Sequence, residues 1–456
     1  MKTFWKSRIK FEQDKFFLEF SKTEDEFLFP YEVKVNSAYI KALRRAKILD
    51  KTSEKKLLKA IDEIYEEFKN KKIDYSPHYE DIHTFFFHLL KKKVKALSKF
   101  LHAGRSRNDL VVTELRLFCK DKILQIIEKI SSLQKEILKK AQKYKDKPFL
   151  AFTHTKFSQL VLFSHFLLNY IWYLEDDKSL FKELLDRMDV LILGSQSIGG
   201  TQIPLDTEFL RKELGFKKAV FNSIYGTDNR KFVLEFLFSN LCIGITLQKI
   251  SQDLIFYFQD NLRFIDLDER FLTGSSAMPH KKNPDALELI RAKISFLFAD
   301  FTGFSYLLKG LITGYNRDYQ LDKSYLIRSI KVVEDVLVLL KSIFKSIKLN
   351  EKNVLKAIKE NDFVFAPELS EYLMRKGCDY ESSYKITTKI LSYCEENKIK
   401  ISDLDLKDFK RFNRKFEEDI KEVLDYKKLF KFKKTKPSSS FESVTNQINY
   451  FKKILK

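Results

Sequence analysis

The stretch Thr273–Asp285 (TGSSAMPHKKNPD) concentrates groups suited to chemistry on an anion. Gly274-Ser275-Ser276 offers successive backbone N–H groups that can form an anion-binding nest. Lys281 and Lys282 add cationic donors, and Asn283 can orient an oxygen. Such a loop can hold a carboxylate or phosphate, or lower the pKa of a serine hydroxyl until it serves as base or nucleophile. It is not a P-loop, because the G-x-x-x-x-G-K-[ST] spacing is missing. Neither serine sits in G-x-S-x-G, so a hydrolase elbow is not expected. His83 and His88 are five apart, His102 stands alone, and no H-E-x-x-H occurs, so no metal is expected.

Four further polar segments interrupt the chain: HAGRSRND at 102–109, GSQSIGGTQIPLD at 194–206, NSIYGTDNR at 222–230 and TGYNRDYQLDK at 313–323. Glycine is scarce, 12 in 456 residues, yet it recurs in these segments among Ser, Asn, Arg and Lys. They read as loops at helix ends that converge on a site, where glycine lets backbone approach a ligand closely.

The elements that must position these loops are helices. Apolar residues recur three or four apart from Asn108 to Ala141, and Phe232–Phe258 is apolar on nearly all sides through its first half. A third run starts after Asn283-Pro284, read as N-cap and first helical residue. Val332–Ile347 is a fourth. Strand alternation bounded by turn signals is scarce, and helices this long predict a bundle. The expected fold is all-α in three domains: a mixed N-terminal part, 1–106; a central long-helix bundle, 107–355; and a smaller C-terminal helical part, 356–456.

Composition bounds the rest. Lys+Arg 84 against Asp+Glu 63 gives a net charge of +21, with 44% hydrophobic residues, which excludes a disordered or tail-dominated chain. Four cysteines without C-x-x-C fit a reducing compartment. Met1–Lys15 has no apolar run and reads as no signal peptide. Phe232–Leu247, the best membrane candidate, is interrupted by Glu235 and Asn240, so neither a membrane partner nor a location outside the cytoplasm is expected. The basic run Lys427–Lys436 (KKLFKFKKTK) reads as a solvated loop, and no nucleic-acid partner is expected; a positive field also suits an enzyme for small dianions.

Gly274–Pro284 resembles the G-S-S-x-M-P-x-K-x-N-P signature of the fumarase/aspartase superfamily. Within it, His102–Asp109, Tyr315–Lys323, and Ser21 with Asp25 resemble the argininosuccinate lyase family. The resemblance covers most of the chain. It implies a fumarase/aspartase-like fold whose central helices form a 20-helix core in a homotetramer, with each active site drawing loops from three subunits. A helix apolar all round, as at Phe232–Leu247, needs neighbours to cover it, which agrees. The implied reaction is reversible elimination of argininosuccinate to arginine and fumarate through an aci-carboxylate carbanion. It uses no cofactor and takes a small-molecule substrate.

By resemblance Ser275 is the base, Lys281 and Asn283 stabilise the aci-carboxylate, and His154 belongs to the acid–base machinery with Glu288 polarising it. Which of Ser275 and His154 removes the proton stays open. Ser21, Arg107, Asn108, Thr153, Tyr315, Gln320 and Lys323 match positions that bind substrate, and Asn283 shares that role. Glu80–Thr84 resembles a segment near the site. Lys156 stands where the family carries a glutamine. Two other readings remain: a superfamily lyase acting on adenylosuccinate, aspartate or malate, and a non-catalytic relative.

Overall fold

The computed structural model describes residues 14–75 and 79–455; residues 1–13, most of the segment that reads as no signal peptide, lie outside them. The chain is mostly helical and divides into two compact units. The first holds residues up to Glu128, Asp177–Gly244 and Ser295–Glu334; the second holds Lys129–Asp176, Ile245–Ile294 and Asp335–Lys456. Five long helices contribute residues to both: Arg107–Lys143, Phe163–Met188, Lys231–Phe258, Asp285–Leu308 and Asp322–Ser346.

In the first unit, helices Phe29–Arg45, Lys51–Lys69 and Ile82–Val94 pack together. Each start has a local cause: Pro30 lies in the first turn of one, Asp50 accepts from Ser53 N at 2.7 Å, and Asp81 accepts from Thr84 N at 2.9 Å. Leu57, Ala60, Ile61 and Ile64 form the buried stripe of the second helix, and Phe29 stacks on Phe68 at 3.9 Å. So the N-terminal stretch, read as mixed, is built of helices between Lys15 and His102.

The Lys231–Phe258 helix is long and apolar enough to cross a membrane. Its first turns bury Val233, Phe236, Leu237 and Ile243 in protein, and Asn240 Nδ2 donates to Ser329 Oγ at 2.8 Å with both side chains buried. A buried amide tied to a neighbouring helix fixes register inside a bundle. This is a core helix.

The second unit contains the one long hairpin among the described residues: Pro148–Thr153 pairs antiparallel with Lys156–Leu162. Its turn is His154-Thr155, both with positive φ (51° and 59°). Two positive φ values match the twist of a tight hairpin, a geometry usually given to Asn or Gly. Without either residue the turn carried no signal, so the sequence reading passed over it. Further along, Tyr372, Leu373, Ile390, Cys394, Phe409 and Phe416 gather into a C-terminal helical core. The helix after Asn283-Pro284 starts at Asp285, later than expected, with Pro284 O accepting from Leu287 N at 2.9 Å. Asn283 is held outside the helix because its backbone exchanges two hydrogen bonds with Thr273 (2.8 and 3.0 Å).

Candidate functional site

Four of the five polar segments lie in the first unit, and they are chained to one another. Asp109, from 102–109, accepts from Gly194 N (3.1 Å) and Gln196 N (2.8 Å) of the second segment. Gly104, at φ +74°, lies so close to that segment that an added Cβ would meet Thr201 Oγ1 at 2.9 Å. Ser223 Oγ, of the third segment, donates to Ile198 O at 2.6 Å. Asp228 then receives Gly314 N (3.2 Å) and Tyr319 OH (2.8 Å) from the segment at 313–323. The predicted convergence therefore holds for these four.

An ion triad locks the last junction. Asp322 is fully buried between Arg230 Nε at 3.0 Å and Lys323 Nζ at 3.2 Å. Arg230 is also buried, donates to Thr227 O at 3.0 Å, and lies over the Tyr319 ring at 4.7 Å. Burial disfavours the charge on Lys323, but Asp322 and Asp25 outweigh it and hold the ammonium above its usual pKa. Burial pushes Tyr315 up, opposed first by Lys323, with Arg107 also acting on it. The fold thus brings Arg107, Tyr315 and Lys323 of the expected binding set within electrostatic reach of one another. It adds Asp25 and Asp81.

Arg107 begins its helix and is anchored rather than loose. Its guanidinium meets Asp81 at 2.6 Å and Glu80 at 3.6 Å, and donates to Thr84 Oγ1 at 3.2 Å. Ser21 closes the Lys15–Phe20 helix, its hydroxyl donating to Phe17 O at 2.6 Å. Asn108 is half-buried and its backbone N–H donates to Ser106 Oγ at 3.3 Å. Gln320 accepts from Arg317 Nε at 3.0 Å.

Behind this wall is a cluster that sequence reasoning missed. His83 Nδ1 bonds Glu32, whose other oxygen accepts Asn36 Nδ2 at 2.7 Å, and Glu114 lies 3.6 Å from the same ring nitrogen. All three are buried. Burial, then Glu32, drives Glu114 well above the usual carboxyl range. Burial also works against charge on Glu32 and His83, but their mutual attraction prevails, lowering the acid and raising the base. These are the one group of described His, Cys, Asp and Glu residues with ligand atoms within 4.8 Å of one another. Glu32 accepts hydrogen bonds from His83 and Asn36, and the Arg105 guanidinium also acts on it. The sequence held one weak signal: Glu114 sits on the apolar stripe of its helix.

The second unit carries the other residues, most of them exposed. Thr153 and His154 are exposed at the hairpin turn, where Lys156 pairs with Thr153. Positive φ at a non-glycine position is a strain that functional loops tolerate. The Thr273–Asp285 loop is closed at its base by the Thr273–Asn283 bridge. Ser275 is half-buried, its Oγ accepting from Met278 N at 3.2 Å. Lys281 is exposed, Lys282 pairs with Glu269, and Glu288 is an exposed partner of Arg291 at 3.5 Å. Among the described residues Glu288 makes no hydrogen bond to His154.

A family model described as "Lyase" matches residues 7–297, and one described as "Argininosuccinate lyase C-terminal" matches residues 363–431. The argininosuccinate lyase of Caldicellulosiruptor saccharolyticus is 36% identical over 99% of this chain and 98% of its own. That of Bacillus subtilis is 33% identical over 93% and 92%. The chain belongs to the argininosuccinate lyase family. Solved structures show how widely the fold of this family is shared. An EDDS lyase crystallised with formate matches at TM-score 0.81 and 22% identity, covering 96% of this chain and 87% of its own. A class II fumarase from Schistosoma mansoni matches at 0.74 and 13%, covering 90% and 91%.

Two tests follow. Asp322→Asn leaves two buried cations without their carboxylate and should cost about 3–5 kcal/mol in urea unfolding. Asp25, buried and facing Asp81, has its carboxyl pushed up to about 6 from 3.8. The folded state then holds this proton more tightly than the unfolded chain, so this residue's contribution makes stability fall as pH rises from 3.8 to about 6. Asp25→Asn should flatten that part of the stability–pH curve.

Proposed function

We propose that this chain cleaves argininosuccinate reversibly to arginine and fumarate. The observation that carries the reading is the complete Ser275–Lys281–Asn283 loop in a chain similar, over 99% of its length, to an argininosuccinate lyase. The chemical difficulty is a C–H bond beside a carboxylate, whose proton is very weakly acidic. A positioned base must take it, and the doubly charged aci-carboxylate that forms needs preorganised donors.

In this mechanism Ser275 takes the proton, and the electron pair left on carbon spreads into the neighbouring carboxylate. Lys281, Asn283 and the amides around Gly274-Ser275-Ser276 stabilise that charge. The pair then forms the double bond of fumarate as the C–N bond breaks. The departing guanidino nitrogen takes a proton from the acid–base machinery of His154, with Glu288 as its polarising carboxylate. No water, metal or redox partner enters the balance. Arg107 and Lys323 hold substrate carboxylates, a role suited to their fixed charge. Ser21, Asn108, Thr153, Tyr315 and Gln320 fix its orientation.

The site is assembled between subunits of a homotetramer. Exposure supports this: the Asp285–Leu308 helix leaves Leu289, Phe296, Phe298 and Tyr306 between 46% and 70% exposed, a face that needs covering. An exposed histidine such as His154 is also a weak catalyst until a neighbour excludes water from it.

Ser275→Ala and His154→Asn should each lower arginine and fumarate formation at least ~100-fold, the low end for loss of a general acid or base. Near-normal turnover would remove that residue from its role. Adenylosuccinate, aspartate and malate, offered to the same enzyme, should yield no comparable fumarate. Dilution or interface substitution that gives folded monomers should abolish activity; fully active monomers would refute the shared site.

A further inference from the structure

The basic run Lys427–Lys436 has no part in this chemistry, yet the fold puts most of it to a definite place. Within the second unit a cavity of about 1130 Å³ is lined by Lys431, Lys433, Lys434 and Lys436. That volume lies at the large end of small-molecule sites. Lys433 pairs with Glu368 at 2.7 Å, whereas Lys431, Lys434 and Lys436 form no ion pair among the described residues. Glu442 is the one acidic side chain in the lining.

The same cavity receives the start of the 14-residue helix Phe441–Ile454. Ser440 caps it, its hydroxyl accepting from Ser443 N at 3.0 Å, and the amides of Phe441 and Glu442 remain without a backbone partner. A helix N-terminus is itself positive and is stabilised by anions, so lysines crowded around one are an unfavourable arrangement unless an anion joins them. His165, half-buried, lines the same cavity.

The opposite part of the lining is aromatic and polar. Trp172 and Tyr450 stack at 5.5 Å and 15°, both more than 40% exposed, with Trp172 Nε1 donating to Gln447 Oε1 at 3.0 Å. Asn169 and Asn446, exposed in the same lining, offer amides that can read the edge of a flat ring.

We infer that this cavity binds a phosphorylated aromatic compound of nucleotide size, its phosphates on the lysines and helix N-terminus and its ring on the Trp172–Tyr450 pair. The inference does not depend on the proposed reaction.

The chain has two tryptophans, Trp5 and Trp172, so full-length protein carrying Trp5→Phe reports on Trp172 alone. ATP should change its fluorescence saturably below about 1 mM, tripolyphosphate should compete, and adenosine should bind at least about tenfold more weakly. In calorimetry the Lys431→Glu/Lys434→Glu variant should lose at least about tenfold in ATP affinity with its melting temperature unchanged, since both side chains are exposed. Trp172→Leu should weaken ATP and leave tripolyphosphate unchanged. No saturation, an affinity unaltered by charge reversal, or tighter binding of a short single-stranded oligonucleotide than of ATP would overturn the inference.

Discussion

Asp322, fully buried between Arg230 and Lys323, is the contact on which the first unit's polar architecture rests. An ionised carboxylate in a protein interior persists only where cations and donors replace its water. Here the cations come from two segments ninety residues apart, so satisfying one charge draws 222–230 against 313–323. The remaining links follow from the same rule. Asp109 gathers the amides of Gly194 and Gln196, and Asp228 gathers Gly314 and Tyr319. Each acid is a hub whose unmet hydrogen bonds dictate which loops meet.

That arrangement leaves Arg107 and Lys323 as fixed charges with their side chains already ordered. The cluster of Glu32, His83 and Glu114 extends this ordering inward. It places His83 within electrostatic reach of Asp25 and of Asp81, the acid that meets Arg107. In the second unit the rule is reversed. The hairpin turn and the Ser275 loop have defined backbones, a pair of left-handed residues in one and a two-bond bridge in the other, while most of their side chains are exposed. Geometry is set there before the environment is.

Much of this was legible in the chain itself. The stripe from Asn108 to Ala141 gave the Arg107–Lys143 helix almost to its ends, and the apolar run from Phe232 gave Lys231–Phe258. Five glycine-bearing polar segments marked the places where helices stop. The hairpin was illegible because its turn uses His and Thr where a glycine or asparagine would have announced it. The Lys427–Lys436 run read as solvated, since a linear sequence does not show that a helix terminus and two aromatic rings from elsewhere lie against it.

Residue order along one helix or one loop decides periodicity, breaks and local donors, because those depend on neighbours within a few positions. So the helical class and the family likeness belong to the sequence. Partner choice for a buried charge belongs to the fold. Glu32 and Glu114 are separated by more than eighty residues, and only packing lowers the pKa of one and raises that of the other, because that outcome depends on desolvation and on a distance no spacing encodes.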